Sequence, residues 1–490
     1  MSRVHCVALF VVLATALYLP QNQVAGRAGS GISDGTWIGS MALPARTTSV
    51  ELDVHLRGTS AVVALGPGHA PLQQVVVRRG PLRLSFALPG IPAQLRFTLA
   101  PSGSVLAGTV VQGRTRGTVR LTSGMLSIAR FLGAYQTQGG EDLIVLDLGR
   151  LGLPPQMIDV DTDSIRALYR VSSMKYVLGA GQAIRQPRAG TASFAPGGSS
   201  MALSLHGRSI VRAIRLPLRA REVRLQNGPT PLAGTLLLPA GNGPFPAVVM
   251  AHGSGPSLRD EGQAFSNYLA LHGIASLTMD KRGEGESGGH YLGEFASENA
   301  IAGYAADVVA GGRLLATQKE IDPRRIGLFG GSQAGWVIPR AAAGAGSLFS
   351  FAVILSGPSV SEGESDYYAS LCNGGNRPPD MSPNQIDAAV EAQGPSGVDP
   401  RPDLQRLHIP ILWVYGALDQ NQPTRLDIPA LERLKAMNGA DFSWVVFPHA
   451  NHGLVDTQTG LNSEAAASSS FAHGLFATLT GWLHAHSIGE

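Results

Sequence analysis

A run of small residues, Gly330-Gly-Ser-Gln-Ala-Gly335, joins an apolar strand-like stretch at 326–329 to an alanine-rich stretch with helical spacing. Ser332 therefore falls where a strand turns abruptly into a helix. A serine hydroxyl is a poor nucleophile near neutral pH and needs a turn that lifts it clear of the backbone, plus a base to take its proton. The spacing Gly330-x-Ser332-x-Ala334 departs from G-x-S-x-G only in Ala for the second Gly, the mildest change available.

Three further elements stand in matching contexts. The apolar run 245–251 leads into His252-Gly-Ser-Gly-Pro256, where the N–H groups of Ser254 and Gly255, with that of Gln333, form a candidate oxyanion hole. The run 409–415 ends at Gly416-Ala-Leu-Asp419, and 442–447 leads to Asn451-His452-Gly453. Ser332, Asp419 and His452 thus follow one another on post-strand loops, in the chain order of a Ser-Asp-His triad. His449 competes with His452 as base, but the Gly after His452 gives the imidazole room to turn toward the serine. Asp419 also suits a turn cap. His252 is expected to fix its own loop as a structural donor, and Asp280 and Arg282 to pair with each other across a turn. Pro339 should bend the helix that follows the elbow.

From 221 onward the chain resembles the bacterial α/β-hydrolase carboxylesterases related to dienelactone hydrolase, the serine aminopeptidases and the catalytic domain of prolyl oligopeptidase. The resemblance rests on His252-Gly-Ser-Gly-Pro, Asp280-Lys-Arg-Gly-Glu-Gly-Glu-Ser287, the elbow, Gly416-x-x-Asp419 and Asn451-His452-Gly453. It implies ester, thioester or amide hydrolysis through an acyl-enzyme, with no metal or organic cofactor. It does not carry a substrate, since one fold hosts many chemistries.

At 490 residues, 44% hydrophobic and 15% charged, the chain is expected to fold as more than one domain. A formal charge of +3 without Lys/Arg blocks gives nucleic-acid binding no support. Residues 1–26 read as a secretory signal peptide, with an uncleaved N-terminal anchor as the alternative: Arg3, an apolar stretch over 7–19 too short to span a bilayer comfortably, and small residues near Arg27. The expected location is secreted or periplasmic, with no stable membrane insertion after cleavage. Removal of Cys6 leaves Cys372 alone, so no internal disulfide is expected. Asp159-x-Asp161-x-Asp163 has calcium-loop spacing, but Ser164 and Arg170 replace the required Gly and Glu, so no metal is expected there.

Alternating apolar and polar residues with Gly/Pro punctuation predict an all-β module over 33–122 and a second, or a continuation, over 128–215. No repeat of 40–45 residues supports a propeller. Alternating strand and helix signals predict an α/β-hydrolase domain over 221–490, its mostly parallel sheet covered on both faces. A Ser-, Gly-, Asn- and Pro-rich insertion over 357–402, with one helical piece near 386–392, is expected to cap the pocket. The leading expectation is a serine hydrolase acting on a small carboxylic ester. The alternatives are an aminopeptidase- or oligopeptidase-type enzyme, with Glu362, Glu364 or Asp366 holding a substrate amine, and a non-enzymatic secreted binding protein with a vestigial hydrolase domain.

Overall fold

A computed structural model describes residues 35–42, 50–57, 60–65, 73–76, 78–80, 83–88, 95–102, 105–123, 128–148, 153–171, 174–183, 188–205, 210–293, 296–465 and 467–489. The expected signal peptide and Cys6 lie outside them.

Three sheets follow one another. Nine antiparallel strands between Gly35–Ala42 and Thr115–Ser123 form the first. Eight more, from Gly133–Thr137 to Val211–Arg215, close into an antiparallel barrel, so the second β region is a unit of its own. The third sheet contains β1 (Arg219–Asn227), β2 (Thr230–Leu238), β3 (Phe245–Ala251), β4 (Ala275–Met279), β5 (Ile321–Gly331), β6 (Phe351–Leu355), β7 (Ile411–Gly416) and β8 (Phe442–Phe447). Its order is β1-β2-β4-β3-β5-β6-β7-β8, with β1 and β2 antiparallel and β3 to β8 parallel.

Period-2 geometry sorts the strand residues onto two faces. Ala247, Val249 and Leu277 pack under α2 (Glu298–Ala316) and α3 (Ala334–Gly344). Val248, Met250, Val353 and Leu355 pack under α1 (Gln263–Leu271) and the helix Leu475–Ala485. Both faces are covered, as strands without polar alternation require. Pro339 lies inside α3, which runs unbroken across it.

The insertion contains two helices rather than one, α4 (Glu362–Leu371) and α5 (Pro383–Gln393), around a small core of Tyr368, Cys372, Ile386 and Val390. The sequence of α4 carries little apolar periodicity. Its start is set instead by a capping box, in which the Ser361 side chain meets the Glu364 N–H and the Glu364 carboxylate meets the Ser361 N–H.

The barrel is docked on the hydrolase domain. The strand Asp142–Leu146 is apolar on both sides because Leu143 and Val145 fill the barrel while Ile144 and Leu146 join the hydrolase core. Backbone bonds run from Ile165 N–H to the Ser469 carbonyl (2.8 Å), Gln182 N–H to that of Ser468 (2.9 Å) and Phe471 N–H to that of Asp163 (2.8 Å). The Asp163 carboxylate accepts the N–H groups of Gly474 (2.6 Å) and Phe476 (3.1 Å), capping the helix Leu475–Ala485 from the barrel.

Candidate active site

In-register pairing of β3 with β5 (Ala251 beside Gly330), β5 with β6 (Gly331 beside Leu355) and β7 with β8 (Gly416 beside Phe447) brings the carboxyl ends of these strands to one sheet edge. The loops carrying residues 252–256, 332, 419 and 452 all leave from that edge, where ligands of parallel α/β sheets bind.

Ser332 has φ +53°, a left-handed conformation that is uncommon for a non-glycine residue and characteristic of a strained elbow. The turn closes because its neighbours are small. A Cβ on Gly330 would lie 2.4 Å from the Ala251 carbonyl oxygen, and one on Gly335 would lie 2.4 Å from the Pro358 nitrogen. Ala334 is tolerated at the place of the second Gly of G-x-S-x-G, and the close approach falls at Gly335 instead.

The three predicted residues are brought together. His452 Nε2 lies 3.1 Å from Ser332 Oγ and His452 Nδ1 lies 2.8 Å from Asp419 Oδ2. All three are buried, at 1, 2 and 3% exposure for Ser332, His452 and Asp419. Asp419 Oδ1 accepts the N–H groups of Asn421 (2.7 Å) and Gln422 (2.8 Å), so one oxygen caps the turn while the other meets the imidazole. With Nδ1–H committed to the carboxylate, Nε2 is the ring atom free to accept the serine proton. His449 is exposed and is not brought to Ser332. The His452 loop does not depend on Gly453 for its shape: Asn451 Oδ1 accepts the Gly453 and Val455 N–H groups, and the left-handed residue is Leu454.

The loop carrying Ser254 and Gly255 and the side chain of Gln333 are held by a residue that sequence reasoning passed over. Lys281 is buried and its Nζ reaches the carbonyls of Gly253 (2.8 Å) and Gly255 (3.1 Å) and Gln333 Oε1 (3.0 Å), while lying 4.2 Å above the Tyr304 ring. Three acceptors match the three donors of an ammonium. The loop after β3 and the residue after the nucleophile are thereby held on one cation. The available signal was a lysine two residues past a strand that is apolar at most positions and buried at all of them. His252 acts as the expected structural donor, its Nε2 standing 2.5 Å from the Met279 carbonyl, and burial holds its pKa down at about 4.

The anticipated Asp280–Arg282 pair does not form. Asp280 receives Arg259 through both guanidinium and backbone, while Arg282 pairs with Asp307 at 2.6 Å. The two side chains serve opposite sides of a turn that Gly285 lets close tightly on the Asp280 carboxylate. Asp159, Asp161 and Asp163 each accept backbone N–H groups, and among the described residues no cluster of metal-ligating side chains is present. Burial pushes the Cys372 thiol up to about 11, which disfavours the thiolate.

Beside His452 opens a small pocket, partly exposed to solvent, walled by the barrel, α1 and residues near Leu454. No residue of 357–402 lines it, so the pocket wall expected from the insertion comes from the barrel. The insertion instead supports the acid: Tyr368 donates to the Asp419 carbonyl (2.9 Å) and Ser365 to Gln422 (3.2 Å). Glu364 is committed to the α4 cap and to Arg401 (2.8 Å).

This fold is that of an α/β-hydrolase, and Ser332, His452 and Asp419 have the geometry of a serine hydrolase triad. Residues 263–478 match the prolyl oligopeptidase family. Over 69 residues the chain is 41% identical to esterase FrsA of Klebsiella pneumoniae, a stretch that spans 14% of this chain and only 17% of that relative. Among solved structures, an esterase of Pyrococcus furiosus aligns at 18% identity over 55% of this chain and 93% of its own, with a TM-score of 0.40. A 2,6-dihydroxy-pseudo-oxynicotine hydrolase aligns at 18% identity over 55% and 67%, with a TM-score of 0.38. No helix among the described residues is long and apolar enough to cross a membrane.

Proposed function

We propose that the protein is an exported esterase that cleaves carboxylic esters with Ser332, His452 and Asp419. The observation that carries this reading is the linked pair of contacts from Ser332 through His452 to Asp419. Ser332 Oγ attacks the ester carbonyl as His452 Nε2 takes its proton, and Asp419 steadies the imidazolium that forms. The carbonyl oxygen becomes an oxyanion facing the N–H groups of Ser254 or Gly255 and Gln333. Collapse expels the alcohol, which receives the proton from Nε2, and water then repeats the sequence on the acyl-enzyme.

Esters are favoured over peptides because Glu364, one of three acidic residues suited to an amine clamp, is committed to structure. Glu362 and Asp366 are turned toward each other on α4. Fluorophosphonate labelling with peptide mapping to Ser332, followed by a panel of p-nitrophenyl esters and aminoacyl p-nitroanilides, tests the reading. Failure to label, or an anilide as best substrate, overturns it. Export is tested by mass spectrometry of the mature protein, with a start near Arg27 as the expected result.

A further inference from the structure

The barrel cannot hold a ligand inside itself. Its interior is packed with side chains, including Phe131 stacked on Phe194 at 4.3 Å between ring centroids. Its outer face, which in an isolated barrel would meet water, is apolar where it reaches the hydrolase domain. The pocket beside His452 lies in that seam, with Leu148 and Ile165 from the barrel facing Ala264 and Phe265 of α1 and Leu454.

We propose that this seam is the binding pocket for an apolar alcohol portion of the ester, so that the barrel selects the substrate. The proposal rests on the esterase reading above. Its basis is the side of the reacting carbon on which the pocket lies. When the acyl-enzyme forms, the bond from the carbonyl carbon to Ser332 Oγ is made and the bond to the alkoxy oxygen breaks. The departing oxygen takes the proton held on His452 Nε2, so it must lie within hydrogen-bond reach of that imidazole. The oxyanion points the other way, toward the loop held by Lys281. The pocket is walled by His452 and Gly453, next to the imidazole that delivers the proton, and by no residue of 252–255 or 332–333, so it adjoins the leaving-group side of His452 rather than the oxyanion loop. The pocket's single carboxyl, on Glu261, accepts the Leu258 N–H at 3.1 Å, and burial favours its uncharged form. That suits an alkyl chain better than a cation.

Two series of substrates separate the possibilities: acetates of methanol to hexanol, followed by acid release, and methyl esters of acetic to hexanoic acid. The expected result is that kcat/KM climbs by up to about fourfold per methylene along the alcohol series, as burial of each CH₂ allows. It should stay nearly flat along the acyl series. Leu148→Trp from the barrel wall and Ala264→Phe from the helix wall each fill the pocket and should flatten the alcohol series. Because they fill it from opposite sides, misfolding of one variant leaves the other informative. A slope along the acyl series alone, or a quaternary-ammonium alcohol ester outperforming hexyl acetate, overturns the proposal. So does an alcohol slope that survives both substitutions in folded protein. Fluorophosphonate labelling of wild-type Ser332 is read in parallel: labelled protein with a flat alcohol series sinks the pocket alone, whereas unlabelled protein sinks the esterase reading beneath it.

Discussion

Lys281 Nζ stands 3.0 Å from Gln333 Oε1, joining the turn after β4 to the residue after the nucleophile. Because the same ammonium also binds the Gly253 and Gly255 carbonyls, it ties together both sides of the proposed oxyanion site. Replacement by Met leaves three buried acceptors unmet and frees the loop. Lys281→Met is expected to lower kcat for p-nitrophenyl acetate by about 10²-fold, comparable to loss of one oxyanion donor, with KM little changed. Steady-state kinetics on variant protein of native thermal stability checks this. A change confined to KM would count against a role in the transition state.

Ser332→Ala and His452→Ala should each reduce kcat by on the order of 10⁴-fold or more, since triad members act as a unit. His449→Ala should retain turnover, its side chain being exposed. Asp419→Asn should fold and lose about 10⁴-fold through the wrong imidazole tautomer. Parallel assays of the four variants separate the assignments.

The elbow has no room at Gly330. A methyl group there would sit 2.4 Å from a backbone oxygen of β3, which cannot move aside as a side-chain tip could. Gly330→Ala is expected to cost about 2–4 kcal/mol of stability through overpacking and to impair Ser332 labelling as well. Urea unfolding and labelling rate together check it.

Asp427 is fully buried against Ser359, whose N–H and hydroxyl both meet its Oδ1, and burial pushes its pKa up to about 7. Its unfolded value lies near the ordinary carboxylate value of about 4. Between those values the native state binds more protons than the unfolded chain, so this group's contribution falls as pH rises from about 4 to about 7. Asp427→Asn removes the titration. The loss of stability from pH 5 to pH 8, measured by denaturant midpoints, should be smaller in the variant than in the wild type.

Asp163 ties the barrel to the helix Leu475–Ala485 through two N–H groups. Asp163→Ala should lower stability by about 1–2 kcal/mol, as loss of a helix cap does. Differential scanning calorimetry reports the change.

What could be read from the sequence was local. The elbow, Asp419 and His452 each sit within a few residues of an apolar strand, so strand, loop and side chain announce one another. The β-rich first half was legible from alternation, though only pairing of Tyr135 with Arg215 across the barrel seam shows that the second region closes on itself. The misread features depend on partners distant in sequence. Asp280 turned to Arg259 rather than to its neighbour Arg282, and Lys281 gained meaning only from acceptors on two other loops. The pocket wall was assigned to the insertion because it lies between hydrolase strands in sequence, whereas Leu148 and Ile165 reach the site from a separate domain. Nothing in the spacing of those residues distinguishes an outer barrel face that meets a hydrolase from one buried in a barrel.

The bonds between barrel residues 163–182 and the segment 468–476 join parts of the chain made far apart in time, with 311 positions separating Asp163 from Gly474. As the chain is synthesised, the barrel can assemble early, but Ile165 and Gln182 keep open N–H groups until that late segment emerges. A ribosome stalled after His452 would already have made every proposed catalytic residue, yet the clasp between the barrel and the hydrolase domain would be missing. Docking of the barrel through these bonds therefore waits on completion of this segment.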